Sequence, residues 1–433
     1  GDGRAFPDRL AHLQRLSGGL RDVDESLGDD RVLITISGEP QQPAHGLSAE
    51  LAVADDLLEV FLPFGDVSRL DVEHRQLGVP YHHMEKVVEV VSNPRCEVSH
   101  SSCSFGLAEQ LVLLDGVDVV HIATPPSTHK DLAVAALRAG KHVLTEKPLA
   151  TTLEDARSIL NEASSAGRIV GANLIMRYNQ LCQSVSEILA GGFLGQALHA
   201  NFLNCASDEN LAPDHWFWNR EISGGIFIEH RVHFFDLFEM WFGRGVVETA
   251  LQASRPGSGE PPITDQVRCS VRYSESGVLA DFYHGFHQCG LLERQEIHIV
   301  CERGRMRLEE WVPTSLEVDA LLTKEQAAEL ARLIPGAQQQ CRATYSGEQR
   351  KICSRHRHYE FDGLYHFAGS LGKDKGGVYG DVVRDLLADQ IAAIEDRAHV
   401  PLVSGENGFR SLEMAVAADS LARRHGTAAP RQG

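Results

Sequence analysis

Val117-Asp118-Val119-Val120-His121-Ile122-Ala123 runs into Thr124-Pro125-Pro126-Ser127, and this stretch decides the architecture. A β-branched apolar run of this length suits a strand buried on both faces, and the turn residues that follow close it. Leu132, Ala133, Ala136 and Leu137 then share one helical face before Gly140 ends the helix. His142–Thr145 reads as the next strand, and Thr152 is placed to cap a helix over Leu153–Ala166. Strand, helix, strand, helix with short connections predicts a parallel sheet flanked by helices, which binds ligands at the carboxyl ends of its strands.

Upstream, the same alternation predicts a strand at Val32–Ile36 and another at Val60–Phe64. Helical stretches are expected around Leu47–Leu58, Val67–Leu77 and Met84–Val91. Residues 1–30 read as an extension carrying a short amphipathic helix through Leu10, Leu13, Leu16 and Leu20. Beyond about Arg177 the texture becomes β-rich. Ala197–Cys205, Asp265–Tyr273, Gly277–Gln288 and Glu296–Arg307 predict an antiparallel sheet with one exposed face. The expected organisation is an extension (1–30), a Rossmann-like doubly wound α/β domain (31–172) and a C-terminal α+β domain (173–425), with an insertion and a mobile loop over about 322–375.

Composition narrows the partners. The 433 residues allow two or three domains at ~150 residues each. The 41 Lys and Arg against 60 Asp and Glu give a formal charge of −19, which repels phosphate backbones and anionic lipid. The longest basic cluster, Arg355–His358, is followed at once by Glu360 and Asp362, so nucleic acid is not an expected partner. The nine cysteines are scattered without a C-x-x-C pair, which suits a reducing, cytoplasmic setting. No run approaches the ~20 apolar residues of a membrane span.

Two segments carry chemistry. In Thr145-Glu146-Lys147-Pro148-Leu149 a lysine leaves a strand at the ligand-binding edge, where its ammonium can favour a developing alkoxide; the alternative is a surface lysine beside a rigid turn. In Ser223-Gly224-Gly225-Ile226-Phe227-Ile228-Glu229-His230-Arg231-Val232-His233, one helix after the glycines would put Glu229 and His233 on a shared face, with Asp236 one turn beyond. A carboxylate that orients an imidazole suits proton transfer, although a core histidine satisfied by its neighbour has the same pattern. His230 and His233 with His284 or His287 offer imidazoles of the kind zinc takes, but no third partner has fixed spacing, and no metal is expected.

Together with Asn173-Leu174-Ile175-Met176-Arg177-Tyr178-Asn179 and Val403–Gly408, these segments resemble the Gfo/Idh/MocA family of nicotinamide-dependent oxidoreductases, from about residue 115 to 243 and again near the C-terminus. The resemblance implies a Rossmann domain followed by a domain with a large open, mostly antiparallel sheet that commonly serves in oligomerisation, hence a homodimer or homotetramer. It implies hydride transfer between NAD or NADP and a sugar, cyclitol or related alcohol. Lys147 becomes the catalytic lysine, His233 the acid/base and Glu229 its partner, standing where the family more often has Asp. Thr124, Pro125, Pro126, His129 and Glu146 would line the cofactor with Lys147, and Arg177 and Tyr178 the substrate mouth, with His230 beside them. Trp218 reads as a pocket wall or as packing.

The chain departs from the family's G-x-G-x-x-G. Val32-Leu33-Ile34-Thr35 leads to Ile36-Ser37-Gly38-Glu39-Pro40-Gln41, which keeps only the middle glycine, Gly38. Glu39 adds a negative charge near the expected phosphates and Pro40 removes an amide. Asp66, twenty-eight residues after Gly38, is the ribose-binding acid or else a helix cap; in the first role it favours NAD. The departure motivates a second reading, a lyase, isomerase or cyclase that uses the same residues for proton transfer. A third is a non-catalytic binder.

Overall fold

The computed structural model describes residues 117–258 and 262–426, together with the backbone of four strands ahead of them. The chain divides into two compact units, residues 1–173 with 390–406 and residues 174–389 with 407–433.

In the first unit, β1 (Thr35–Ser37), β4 (Val87–Val90) and β6 (His142–Thr145) each pair in parallel with β5 (Val119–Ala123), and β7 (Val170–Ala172) pairs in parallel with β6. α1 (His129–Arg138) connects β5 to β6, and α2 (Leu153–Ala166) connects β6 to β7. Val119, Val120 and Ile122 are almost wholly buried, as a strand covered on both faces requires. Thr152 caps α2 by accepting from the Asp155 amide, and Gly167 ends that helix in the left-handed region at φ 63°.

The helices expected over 47–58, 67–77 and 84–91 are corrected where they are described. β2 (Val53–Val60) and β3 (Val72–Leu77) form an antiparallel pair, and Val87–Val90 is β4. Windows this short fit either period, and the β-branched ends favour strands once a partner is available. The leucine-spaced helix of residues 1–30 lies outside the described residues, as do Gly38 and Asp66.

The second unit is built on a nine-stranded sheet with one parallel strand pair, β8 (Ala197–Ala206) with β11 (Val278–Phe286). All its other pairs are antiparallel, through β9 (Gly245–Ser254) and β10 (Thr264–Tyr273) on one side. On the other side lie β12 (Arg294–Cys301), β13 (Gly304–Glu309) and β14 (Ser315–Leu322). Residues 294–309 are thus a hairpin rather than the single stretch expected. The stretch expected as an insertion carries the helix read at Lys324–Leu333 and is built into the same sheet. After α7 (Lys324–Leu333), β15 (Gln338–Thr344) and β18 (Gly363–Ser370) join the same sheet. A hairpin of β16 (Lys351–Ser354) and β17 (Arg357–Glu360) holds Cys353 and His358 opposite each other.

One face of this sheet is core. Ala200 and Phe202, Ala280 and Phe282, Ile297 and Ile299, and Val318 and Ala320 alternate inward and are at most 1% exposed. The opposite face carries cross-strand ion pairs such as Arg272–Glu248, Arg305–Asp319 and Arg307–Glu317. The core face is covered by the aromatic helix Val232–Phe242. Phe234 stacks on Phe202 with ring centroids 3.6 Å apart, and Phe235 and Phe238 meet Phe282 at 5.2 and 4.6 Å. Each such ring contributes ~1.5–3 kcal/mol by leaving water, so this helix is fixed in place by packing.

Candidate active site

The carboxyl edge of the parallel sheet is built by register. Ile122, Thr145 and Ala172 stand side by side on β5, β6 and β7, so the following residues, Ala123, Glu146 and Asn173, emerge from adjacent strand ends. The Asn173 amide donates to Glu146 Oε1 at 2.5 Å, and the Lys147 amide donates to Oε2 of the same carboxylate at 3.3 Å. Burial pushes the Glu146 carboxyl up, against the opposing pull of Lys147 and of the Asn173 bond. His121 Nε2 lies 3.9 Å from Glu146 Oε1, and burial lowers that imidazole to about 4. Lys147, half-buried, precedes Pro148 across a cis peptide bond.

The loop after β5 is tied to itself. Thr128 donates from its amide and its hydroxyl to the Pro125 carbonyl at 3.0 and 2.9 Å, and its hydroxyl lies 2.6 Å from that of Thr124. Thr124 and Pro126 are buried and Pro125 is half-buried at this edge. His129 is corrected: it is fully buried and lines no open surface. Its ring nitrogens lie 2.8 Å from the Thr124 and Pro148 carbonyl oxygens, so it joins the two motif-bearing loops from below.

In the second unit the expected single helix is broken. α5 (Ile226–Glu229) ends at Glu229, and α6 (Val232–Phe242) starts beyond His230 and Arg231, so Glu229 and His233 belong to successive short helices. Gly224 and Gly225, at φ 81° and 88°, make the turn into α5; a Cβ on Gly224 would lie 2.7 Å from Ile228 Cγ2. The break is held by Arg231. Its buried guanidinium donates to the Val267 carbonyl at 2.9 Å, the Phe282 carbonyl at 3.2 Å and Cys269 Sγ at 3.0 Å.

Glu229 and His233 are 7% and 5% exposed, and the His233 ring stands 6.2 Å from that of Trp311. Asp236 does not orient His233, because both its oxygens accept from Arg177. Arg177 therefore meets Asp236, and Tyr178 donates to Asp389 at 2.7 Å. His230 and Trp218 come together around Phe286, at ring distances of 5.2 and 6.3 Å, and Arg255 stacks on Trp218.

Sequence reasoning assigned no role to Asn173, His121 or Trp311. Asn173 was within reach, since it follows the β7 strand directly. His284, considered from sequence only as a metal ligand, is fully buried 5.1 Å from the His230 ring. Among the described residues, no group of three or more His, Cys, Asp or Glu is placed to hold a metal ion. No helix of the described residues is long and apolar enough to cross a membrane.

Two family models match this chain, one described as an oxidoreductase family with an NAD-binding Rossmann fold over residues 74–174, the other as the Gfo/Idh/MocA C-terminal domain over 182–307. The chain belongs to the Gfo/Idh/MocA family. Among curated members it is similar to 1,5-anhydro-D-fructose reductase of Ensifer adhaerens, 34% identical over 41% of this chain and 53% of that protein. It is also similar to inositol 2-dehydrogenase 2 of Saccharopolyspora erythraea, 32% identical over 38% of this chain and 47% of that one. The matched stretch spans about half the length of these two relatives. Among solved folds, levoglucosan dehydrogenase with NADH and L-sorbose aligns at TM-score 0.56 and 18% identity, covering 77% of this chain and 87% of that one. An aldose-aldose oxidoreductase from Caulobacter crescentus aligns at TM-score 0.61 and 14% identity, covering 92% and 98%.

The Gfo/Idh/MocA strand edge suits a nicotinamide nucleotide chemically. It offers a hydroxyl pair, a carboxyl and an amide, and Asn173 Oδ1 is a buried acceptor with no donor among the described residues. That orphaned oxygen is a ready partner for a carboxamide N–H.

Proposed function

We propose that this Gfo/Idh/MocA chain is a nicotinamide-dependent oxidoreductase acting on CH–OH groups of a sugar, cyclitol or related polyol, with NAD preferred over NADP through Asp66. The observation that carries the reading is the setting of Lys147: a lysine at the carboxyl end of a parallel strand, its own amide bonded to the adjacent Glu146 carboxylate, beside an Asn173 acceptor with no donor among the described residues. When bound, the nicotinamide supplies an acceptor for the hydride that leaves the carbinol carbon.

The residues of this chain do the proton work. Lys147 donates a hydrogen bond to the substrate hydroxyl oxygen and stabilises the alkoxide as it forms. His233 takes the hydroxyl proton, and Glu229 sets the orientation of its ring. His230 and Trp218 bound the substrate, while Thr124, Pro125 and Pro126 border the nucleotide. Arg177 and Tyr178 support the wall through Asp236 and Asp389 rather than offering their polar atoms to a ligand.

The test is turnover of a panel of polyols with NAD and NADP, followed by nicotinamide absorbance. Wild-type chain is expected to reduce nucleotide, and Lys147→Ala and His233→Ala each to lower kcat by about 10²–10⁴-fold. Conversion of polyol without any change in nucleotide would move the reading to a lyase or isomerase.

A further inference from the structure

Both ring nitrogens of His129 face backbone carbonyls at 2.8 Å, and the residue is fully buried, beyond the reach of substrate and nucleotide. One of those carbonyls belongs to Pro148, the residue after Lys147. On the other side of Lys147 its amide bonds to Glu146 Oε2, and Glu146 is itself held by Asn173. The lysine backbone is therefore fixed from both directions, by a carboxylate before it and an imidazole after it. The second carbonyl, that of Thr124, belongs to the loop locked by Thr128. His129 thus ties the lysine loop to a neighbouring loop that is closed by its own hydrogen bonds.

A neutral ring has one N–H to offer to two carbonyls, so one contact is a hydrogen bond and the other sets a lone pair against an oxygen. Burial favours that neutral ring. We propose that His129 is the positioning residue of Lys147: its Nδ1–H donates to the Pro148 carbonyl and fixes where the ammonium stands. This rests on the role given to Lys147 above.

Two substitutions separate the bonds. The amide nitrogen of Asn stands where Nδ1 does, and that of Gln where Nε2 does, so His129→Asn keeps the bond to Pro148 and His129→Gln keeps the bond to Thr124. Two readouts are taken at a pH near neutrality. The first is steady-state kinetics with NAD and an active polyol. The second, independent of turnover, is the rate at which acetic anhydride labels Lys147, read by peptide mass spectrometry against exposed Lys351 as internal reference. We expect His129→Gln to lower kcat about 10–100-fold, with KM within about twofold, since misplacing a catalytic group by about an ångström costs this much. The same variant is expected to change Lys147 labelling at least about threefold, while His129→Asn stays within about threefold of wild type in kcat and leaves labelling unchanged. Equal effects of the two variants, better retention by Gln, or unfolding of both would overturn the proposal. Should wild type turn over no polyol, the dehydrogenase reading fails while the labelling comparison still decides the role of His129.

Discussion

Arg177 grips Asp236 with two parallel hydrogen bonds, Nε to Oδ2 and Nη2 to Oδ1, both 2.8 Å, across 59 residues of sequence. The carboxylate is 3% exposed and the guanidinium 15%, so the pair joins the turn Ile175–Tyr178 to helix α6 inside the core. Removing one partner leaves a charge uncompensated. Asp236→Leu or Arg177→Met should each cost about 3–5 kcal/mol in urea unfolding, and the double substitution should recover most of that loss. Additive losses would show that the two charges do not act as a pair.

His142 supplies a pH dependence whose direction follows from its bonds. Its Nδ1 accepts from the Ile169 amide at 3.0 Å, which a protonated ring cannot do, and burial with nearby Arg168 lowers it from 6.5 to about 4. Between those values the unfolded chain binds a proton that the folded one refuses. Stability present above pH 6.5 is therefore lost as pH falls towards 4, by up to ~1.4 kcal/mol per pH unit for this group. His142→Asn keeps an acceptor for Ile169 and removes the titration. Chemical denaturation at pH 7 and pH 5 should show a smaller difference for the variant, and an unchanged difference would contradict the assignment.

Thr152 caps α2 through a hydroxyl that accepts from the Asp155 amide at 3.1 Å and donates to the Asp155 carboxylate at 2.7 Å. Thr152→Ala should destabilise the first unit by about 1 kcal/mol, and Thr152→Ser should restore it. Thermal unfolding of the two variants against wild type decides this.

The stretch from Val117 to Ala166 was legible because local signals agree: a β-branched run, turn residues, a cap and a helix-ending glycine. The strand His142–Thr145 and the helix Leu153–Ala166 stand at the residues read from sequence. The edge strand Gln338–Thr344 was not legible, since it is almost wholly exposed and carries no apolar alternation. The break after Glu229 was invisible because the seven-residue spacing Glu229–Asp236 fits a helix; what interrupts it is Arg231, reaching carbonyls of strands 36 and 51 residues away. His129 could be placed near the ligand edge by its motif, but only its partners reveal that it acts from beneath.

The most direct measurement follows a label. Chain mixed with NAD and a polyol carrying deuterium on its carbinol carbon is sampled by mass spectrometry of the nucleotide. The account predicts deuterium on the reduced nicotinamide, arriving at least about 100-fold more slowly with Lys147→Ala. Deuterium released to solvent, with the nucleotide unlabelled, would contradict it.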